Sequence, residues 1–386
     1  HNPAGKLYSK RTMKAPAGIS NTDYAGNFAD FLAECDEGQP FCFWFGGKEP
    51  HRVYKPGIGK ANGIELDNVT VPSFLPDTPT VRSDIADYLF EIQWFDSHLD
   101  RMLAKLRDLS QLENTLVIVT SDNGMPFPRA KANVYEYGIH MPLAISWPQR
   151  IPAGQDTDDL VSLIDVTRTI FDAADVDPEQ SGLLQGQSLL PHYSSDSSGA
   201  KPAKRTAVFS GRERHSSSRY HSLGYPCRCI RNKTHLYIRN FTPERWPAGT
   251  PQKYDSARFS NAGDLTSHRL GKPHGGYHDI DDGPTLQWMI KHRTDDQVEG
   301  LFNAAIAIRP AEELYDVAND PGCLVNLADD GAAQAIKQKL AAELESYLSE
   351  TGDLRQIDPA AARIWETYPR VSKLRWFPIP GWAKEN

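Results

Sequence analysis

The chain has 386 residues, room for two or three domains at roughly 100–200 residues each, and its 39% apolar and 24% charged content with 28 Gly and 28 Pro is that of a loop-rich globular protein. Its 42 basic against 50 acidic residues leave a net charge of −8, without the basic excess of a nucleic-acid binder. The longest apolar runs, Phe41–Phe45 and Leu116–Val119, fall well short of the roughly 20 residues that span a bilayer, and the five cysteines form no CxxC pair, so no membrane span, zinc ribbon or disulfide framework follows.

Gln39-Pro40 leads into Phe41-Cys42-Phe43-Trp44-Phe45, and Gly46-Gly47 closes the run. This predicts a strand buried on both faces that delivers Lys48, Glu49, Pro50 and His51 at its end. From Thr80 to Ser110 the residues Ile85, Leu89, Ile92, Phe95, Leu99, Leu103 and Leu106 recur at three- and four-residue steps, which predicts a long amphipathic helix capped by Asp77 or Ser83. Leu116–Thr120 and Pro142–Trp147 read as two further buried strands, the first ending in Ser121-Asp122-Asn123-Gly124, and Leu160–Ala174 returns to helical spacing. Apolar strands between helices predict an α/β domain, a layered sheet flanked by helices, with its polar groups gathered at strand ends.

After Gly186 the pattern changes. Ala207–Phe209 and Cys229–Phe241 alternate like strands of a smaller antiparallel sheet, and Ala332–Leu348 reads as an alanine-rich helix. A soft boundary near Ser194–Lys204 divides the chain into a catalytic-domain portion, residues 1–198, and a smaller C-terminal α+β domain, residues 199–386.

Asp122 and Asn123 stand side by side where a strand opens into a loop, and hard divalent cations choose such oxygen ligands. Asp-Asn-Gly is equally a favourable turn sequence. His51 at the earlier strand end and Lys131 beyond the Asp-Asn-Gly turn add an imidazole and a cation, a set that suits a tetrahedral oxyanion. Taken singly, each also reads as a hydrogen-bonded loop histidine and a solvated lysine.

In order along the chain come Glu49-Pro50-His51-Arg52, Val71-Pro72-Ser73-Phe74-Leu75-Pro76-Asp77-Thr78-Pro79, Thr115 to Pro128 around Asp122-Asn123-Gly124, Ser162-Leu163-Ile164-Asp165-Val166-Thr167, Gly186-Gln187-Ser188-Leu189-Leu190-Pro191, and Glu313-Leu314-Tyr315-Asp316 with Asp320-Pro321 and Asn326-Leu327. Together these resemble the type I sulfatases of the alkaline-phosphatase superfamily, and within them the heparan N-sulfatase branch with its bacterial members. The resemblance implies an alkaline-phosphatase-like fold and hydrolysis of a sulfate ester or sulfamate on a sulfated saccharide. It also implies a calcium ion on Asp122 and Asn123, His51 and Lys131 at the sulfate, and a periplasmic, extracellular or lysosomal setting. Arg212, Arg214 and His215 fall in the region that shapes the substrate pocket in that branch. His140 stands where many sulfatases carry arginine, and it is counted with these as a substrate-binding candidate.

The family nucleophile is a formylglycine made from Cys or Ser in a C/S-x-P-x-R motif, and no residue here stands in that context. The resemblance therefore implies that His1 is an internal start, that an N-terminal fragment completes the fold, and that this chain alone is inactive. Two alternatives stay open at this level: a phosphoester or phosphonate hydrolase of the same superfamily, and a non-catalytic sulfatase-like glycan-binding protein.

Overall fold

The computed structural model describes residues 5–176, 185–194, 203–255, 269–366 and 376–383. In chain order the elements are α1 (Tyr24–Glu34), α2 (Ile58–Ala61), α3 (Pro79–Asp108), β1 (Val117–Thr120), α4 (Glu136–Ile139), β2 (Leu143–Ser146), α5 (Leu163–Ala173) and α6 (Leu190–Tyr193). They continue with β3 (Ala207–Arg212), β4 (Cys227–Asn232), β5 (His235–Asn240), α7 (Pro284–Lys291), α8 (Asp296–Ile306), β6 (Glu312–Asp316), α9 (Gln334–Glu350) and α10 (Leu354–Ile357).

Helix α3 has 30 residues, about 45 Å of rise. Its cap differs from the expectation: Thr78 accepts from the Val81 amide at 3.3 Å, with Pro79 opening the first turn. Asp77 is instead drawn aside to Arg82, 2.5 Å away, and Ser83 lies inside the helix. Helix α5 begins after Ser162, whose amide donates to Asp165 at 2.8 Å in a capping box.

The run Phe41–Phe45 is not a strand buried on both faces. Phe41, Phe43 and Phe45 pack against α1 and α3, with Phe28–Phe43 centroids 4.9 Å apart and Phe45 stacked on Phe95 at 4.5 Å. Cys42 and Trp44 face outward, Trp44 at 87% exposure. Five apolar residues in a row imply cover on both sides, but the structure covers one face, and among the described residues the run is in no sheet. Likewise, among the described residues β1 pairs only with β2, antiparallel, from Val117↔Ser146 to Thr120↔Leu143, and is half-buried rather than enclosed.

The second sheet runs β3-β4-β5-β6, antiparallel throughout. Its two faces separate as the period-2 rule requires. Cys227, Cys229, Leu236, Ile238 and Tyr315 face Val134 and Tyr135, whereas Ile230, Tyr237 and Leu314 face Leu340, Leu344 and Leu348 of α9. The segment that leads into α4 is thus packed directly on this sheet.

The largest core joins Val69, Phe74, Val81, Ile85 and Phe127 to Tyr277, Leu286, Met289 and Phe302. Helices α7 and α8 therefore share the core of α3, across the boundary near Ser194–Lys204, of which residues 195–202 lie outside the described residues. Among the described residues no helix is long and apolar enough to cross a membrane.

Candidate active site

The loop that carries His51 is anchored from below. Glu49, 5% exposed, accepts from the Ser20 amide at 2.8 Å and the Tyr24 hydroxyl at 3.0 Å, and that hydroxyl in turn accepts from the Lys48 amide. Arg52 is buried between the rings of Tyr54 and Phe127, grips both oxygens of Asp84 at 2.8 Å, and donates through Nε to the Pro126 carbonyl at 2.9 Å. Asp84 also accepts from the Thr285 amide and hydroxyl at 3.1 and 2.6 Å. One ion pair thereby ties the His51 loop to the loop after β1 and to the start of α7. His51 Nδ1 lies 2.6 Å from the Arg52 carbonyl, which can only accept, so Nδ1 carries the proton and Nε2 is left for other partners.

After β1 the Ser121 hydroxyl donates to the Asn123 carbonyl at 2.9 Å, and the Asn123 amide nitrogen donates to the Gly124 carbonyl at 3.0 Å. Its Oδ1 is then the free end of the amide. The Asp122 carboxylate is exposed and accepts no hydrogen bond among the described residues, unlike the carboxylate of an Asx turn. Gly124 meets the backbone of α4 so closely that a Cβ there would sit 1.9 Å from the Tyr137 carbonyl oxygen. Gly124→Ala is accordingly expected to destabilise the chain by roughly 1–3 kcal/mol through overpacking, read as a lower midpoint of urea unfolding. An unchanged midpoint would mean that the loop yields freely.

The loop then folds back on itself, with the Phe127 and Lys131 amides both donating to the Met125 carbonyl, at 2.8 and 3.1 Å. Arg129, buried, donates to the carbonyls of Gly322, Ala304 and Cys323 and lies over the Tyr135 ring at 3.9 Å. Lys131 is carried into the interior edge with its side chain 10% exposed, and Nζ pairs with Asp281 at 2.8 Å.

His51, Lys131, Asp122, Asn123 and His140 line one cleft of about 1120 Å³, with Glu136 beside His140. Arg212, Arg214 and His215 are not among its lining residues. Arg212 spends its guanidinium on the carbonyls of Ala132, Pro247 and Tyr225, a strut behind the Lys131 loop. Arg214 donates to the Trp365 and Glu366 carbonyls at 3.0 and 3.3 Å. His215 is held below the usual histidine value, first by desolvation and also by the Lys131 charge, against the pull of Asp279 and Asp281. Asp281, Glu136 and Asp84 are the partners that sequence reasoning missed. Asp281 is separated from Lys131 by 150 positions, and nothing local announces it.

The sulfatase family model matches residues 2–176, and the model described as N-sulphoglucosamine sulphohydrolase, C-terminal, matches residues 129–234. The chain is 30% identical over 332 residues to N-sulphoglucosamine sulphohydrolase of Homo sapiens, covering 83% of this chain and 59% of that protein. The chain belongs to the sulfatase family. This sulfatase chain is also 26% identical over 287 residues to an ulvan-active sulfatase of Formosa agariphila, 73% of this chain and 41% of that one, so it spans about half the length of these relatives. A protein solved with its substrate D-glucosamine-2-N,6-O-disulfate matches with a TM-score of 0.57 at 18% identity, over 87% of this chain and 70% of that one. A protein from the glycosaminoglycan-metabolising locus of Bacteroides thetaiotaomicron matches with a TM-score of 0.58 at 16% identity, over 89% and 61%. The fold is accordingly α/β and alkaline-phosphatase-like, and sulfatases generally use a metal ion.

Proposed function

We propose that this chain carries the metal-binding and sulfate-contacting side of a sulfatase that hydrolyses a sulfate ester or sulfamate on a sulfated sugar, in a periplasmic, extracellular or lysosomal setting. The observation that carries the reading is that His51, Asp122, Asn123 and Lys131, from three separate stretches of chain, line one cleft. The names of the human and Formosa relatives support sulfated saccharides as the substrate class. The residues 1–198 and 199–386 are retained as the catalytic portion and the smaller C-terminal domain, with α7 and α8 packed across the division.

Asp122 and the Asn123 Oδ1 are hard oxygen donors open to the cleft, which fits a calcium ion. They supply two of the six to eight oxygens such an ion takes, and among the described residues there is no group of three or more His, Cys, Asp or Glu that could hold a metal. A bound calcium ion supplies positive charge against the sulfate oxygens. Lys131 presents a second charge to the same oxygens from a side chain only 10% exposed, where a fixed charge acts more strongly than in bulk solution. His51, with Nδ1–H committed to the Arg52 carbonyl, presents Nε2 to the departing oxygen or nitrogen and passes it a proton from the imidazolium form of the ring. No Cys or Ser of this chain stands in the C/S-x-P-x-R motif that furnishes the family nucleophile.

The test is sulfate release from a sulfated glucosamine or uronate oligosaccharide, by the chain alone and by the chain combined with a polypeptide bearing the C/S-x-P-x-R motif. Calcium-dependent release by the combination only is expected. Asp122→Ala should abolish calcium binding in calorimetry while leaving calcium-free unfolding unchanged, because its carboxylate holds nothing else. Equal release by the chain alone would place the nucleophile within it.

A further inference from the structure

His140 and Glu136 line the same cleft as His51 and Lys131, but they reach it from α4 rather than from the loops after Phe45 and β1. Glu136 is 5% exposed, and a carboxylate buried to that degree is costly unless it is paired. It is paired on two sides. Arg231 of β4 grips both oxygens at 3.1 and 2.8 Å, and His140 Nδ1 lies 3.0 Å from Oε1. Burial pushes the Glu136 carboxyl up, but the hydrogen bonds from His140 and Arg231 overcome it and hold the group below its ordinary value.

The charges in this cluster do not cancel. Arg231 and Glu136 neutralise each other, so a protonated His140 leaves one positive charge on the cleft wall. Lys131 differs: its ammonium, which faces the same cleft, is accompanied by the Asp281 carboxylate, so that pair adds no net charge. The hydrogen bond to Glu136 commits Nδ1–H, so Nε2 is the nitrogen available to a ligand, on a side chain 72% exposed. The Glu136 hydrogen bond also keeps the ring charged above the usual histidine value, against burial and against the Arg231 charge that lower it. The other charged groups sharing the cleft are Lys48, Glu49, His51, Asp96, Asp122 and Lys131, with Glu49 turned back onto Ser20 and Tyr24.

We propose that His140, held by Glu136 and Arg231, is a subsite for a second oxyanion, a sulfate or carboxylate, on the saccharide whose sulfate is hydrolysed. The proposal rests on the sulfated-sugar reading above. Glu136 and Arg231 are positioning residues in it: they fix the ring and its tautomer without touching the ligand. The charge is fully present in acid and fades as pH rises through the raised pKa of His140, so a doubly charged saccharide is favoured at acidic pH.

The experiment is calorimetric binding of a disulfated and a monosulfated glucosamine to the whole chain and to His140→Gln, which alters an exposed side chain. At about pH 5.5 the variant should bind the disulfated sugar roughly tenfold more weakly and the monosulfated sugar within about twofold of wild type. The gap should narrow as pH rises above the usual histidine range. An NMR titration adds a readout that loss of structure would not mimic, with the His140 pKa falling toward the ordinary histidine value in Glu136→Gln. Equal loss for both sugars, or no loss for either, overturns the subsite while leaving the sulfatase reading intact. Failure of the wild-type chain to bind either sugar overturns the sulfated-sugar reading, and the subsite with it, before any variant is compared.

Discussion

Replacing Lys131 by alanine is expected to lower sulfate release by about 10²–10³-fold, the usual effect of removing one preorganised charge partner from a developing oxyanion. The assay is the catalytically complete combination described above, with kcat and KM resolved separately. Lys131 is 10% exposed on its side chain and is held 2.8 Å from Asp281, so its ammonium is fixed in place rather than mobile in solvent. A preorganised charge costs no reorganisation as the transition state forms, so the loss should fall mainly on kcat. Asp281→Asn, which keeps the shape and removes the charge, should produce a smaller loss, because the ammonium remains near the cleft but is less firmly placed. Turnover unchanged in Lys131→Ala would assign the lysine to a structural ion pair with Asp281 and remove it from the chemistry.

The contrast between Lys131 and Asp281 marks what was legible in the sequence. Helix α3 was legible because a repeat of three and four residues over 30 positions has no competing explanation. The strands β3 to β5 were legible from alternation, and their faces separate as that alternation requires. The short helices α7 and α8, of 8 and 11 residues, offer too few turns for the same signal, and they pack against a core formed some 200 positions earlier, as the contact between Asp84 and Thr285 shows. The run Phe41–Phe45 misled because apolarity reports a preference for cover, not whether cover is present.

In the cleft, His51, Asp122, Asn123 and Lys131 lie on local motifs and could be read directly. The residues that hold them do not. Arg52 and Asp84 are 32 positions apart, Glu136 and Arg231 are 95 apart, and Tyr135 and Glu313 are 178 apart. Each pair is a satisfied buried polar contact, which sequence periodicity does not encode because neither partner repeats. Arg212 shows the converse. A basic residue near a predicted pocket suits an anionic glycan by composition, but its hydrogen-bond capacity is absorbed by backbone carbonyls.

Asp84→Ala is expected to cost about 3–5 kcal/mol of folding stability, because it leaves a buried guanidinium uncompensated and strands the Thr285 amide and hydroxyl. The side chains of Arg52 and Asp84 are 5% and 1% exposed, so solvent cannot replace the lost partner. The attraction within such a pair is offset by the cost of desolvating both ions, and the net contribution of the pair is therefore smaller than the damage done by breaking it. The double substitution Arg52→Met with Asp84→Leu should accordingly recover the part of the loss that comes from the uncompensated guanidinium, and not the part that comes from the Thr285 amide and hydroxyl. It should not recover sulfate release, since the methionine cannot donate to the Pro126 carbonyl and the loops of His51 and Asp122 lose their common tie. Urea unfolding midpoints and sulfate release, measured on the single and double variants, separate the two roles. A double variant as active as the wild type would show that packing alone holds the two loops in register, and a single variant with an unshifted midpoint would show that water reaches the pair.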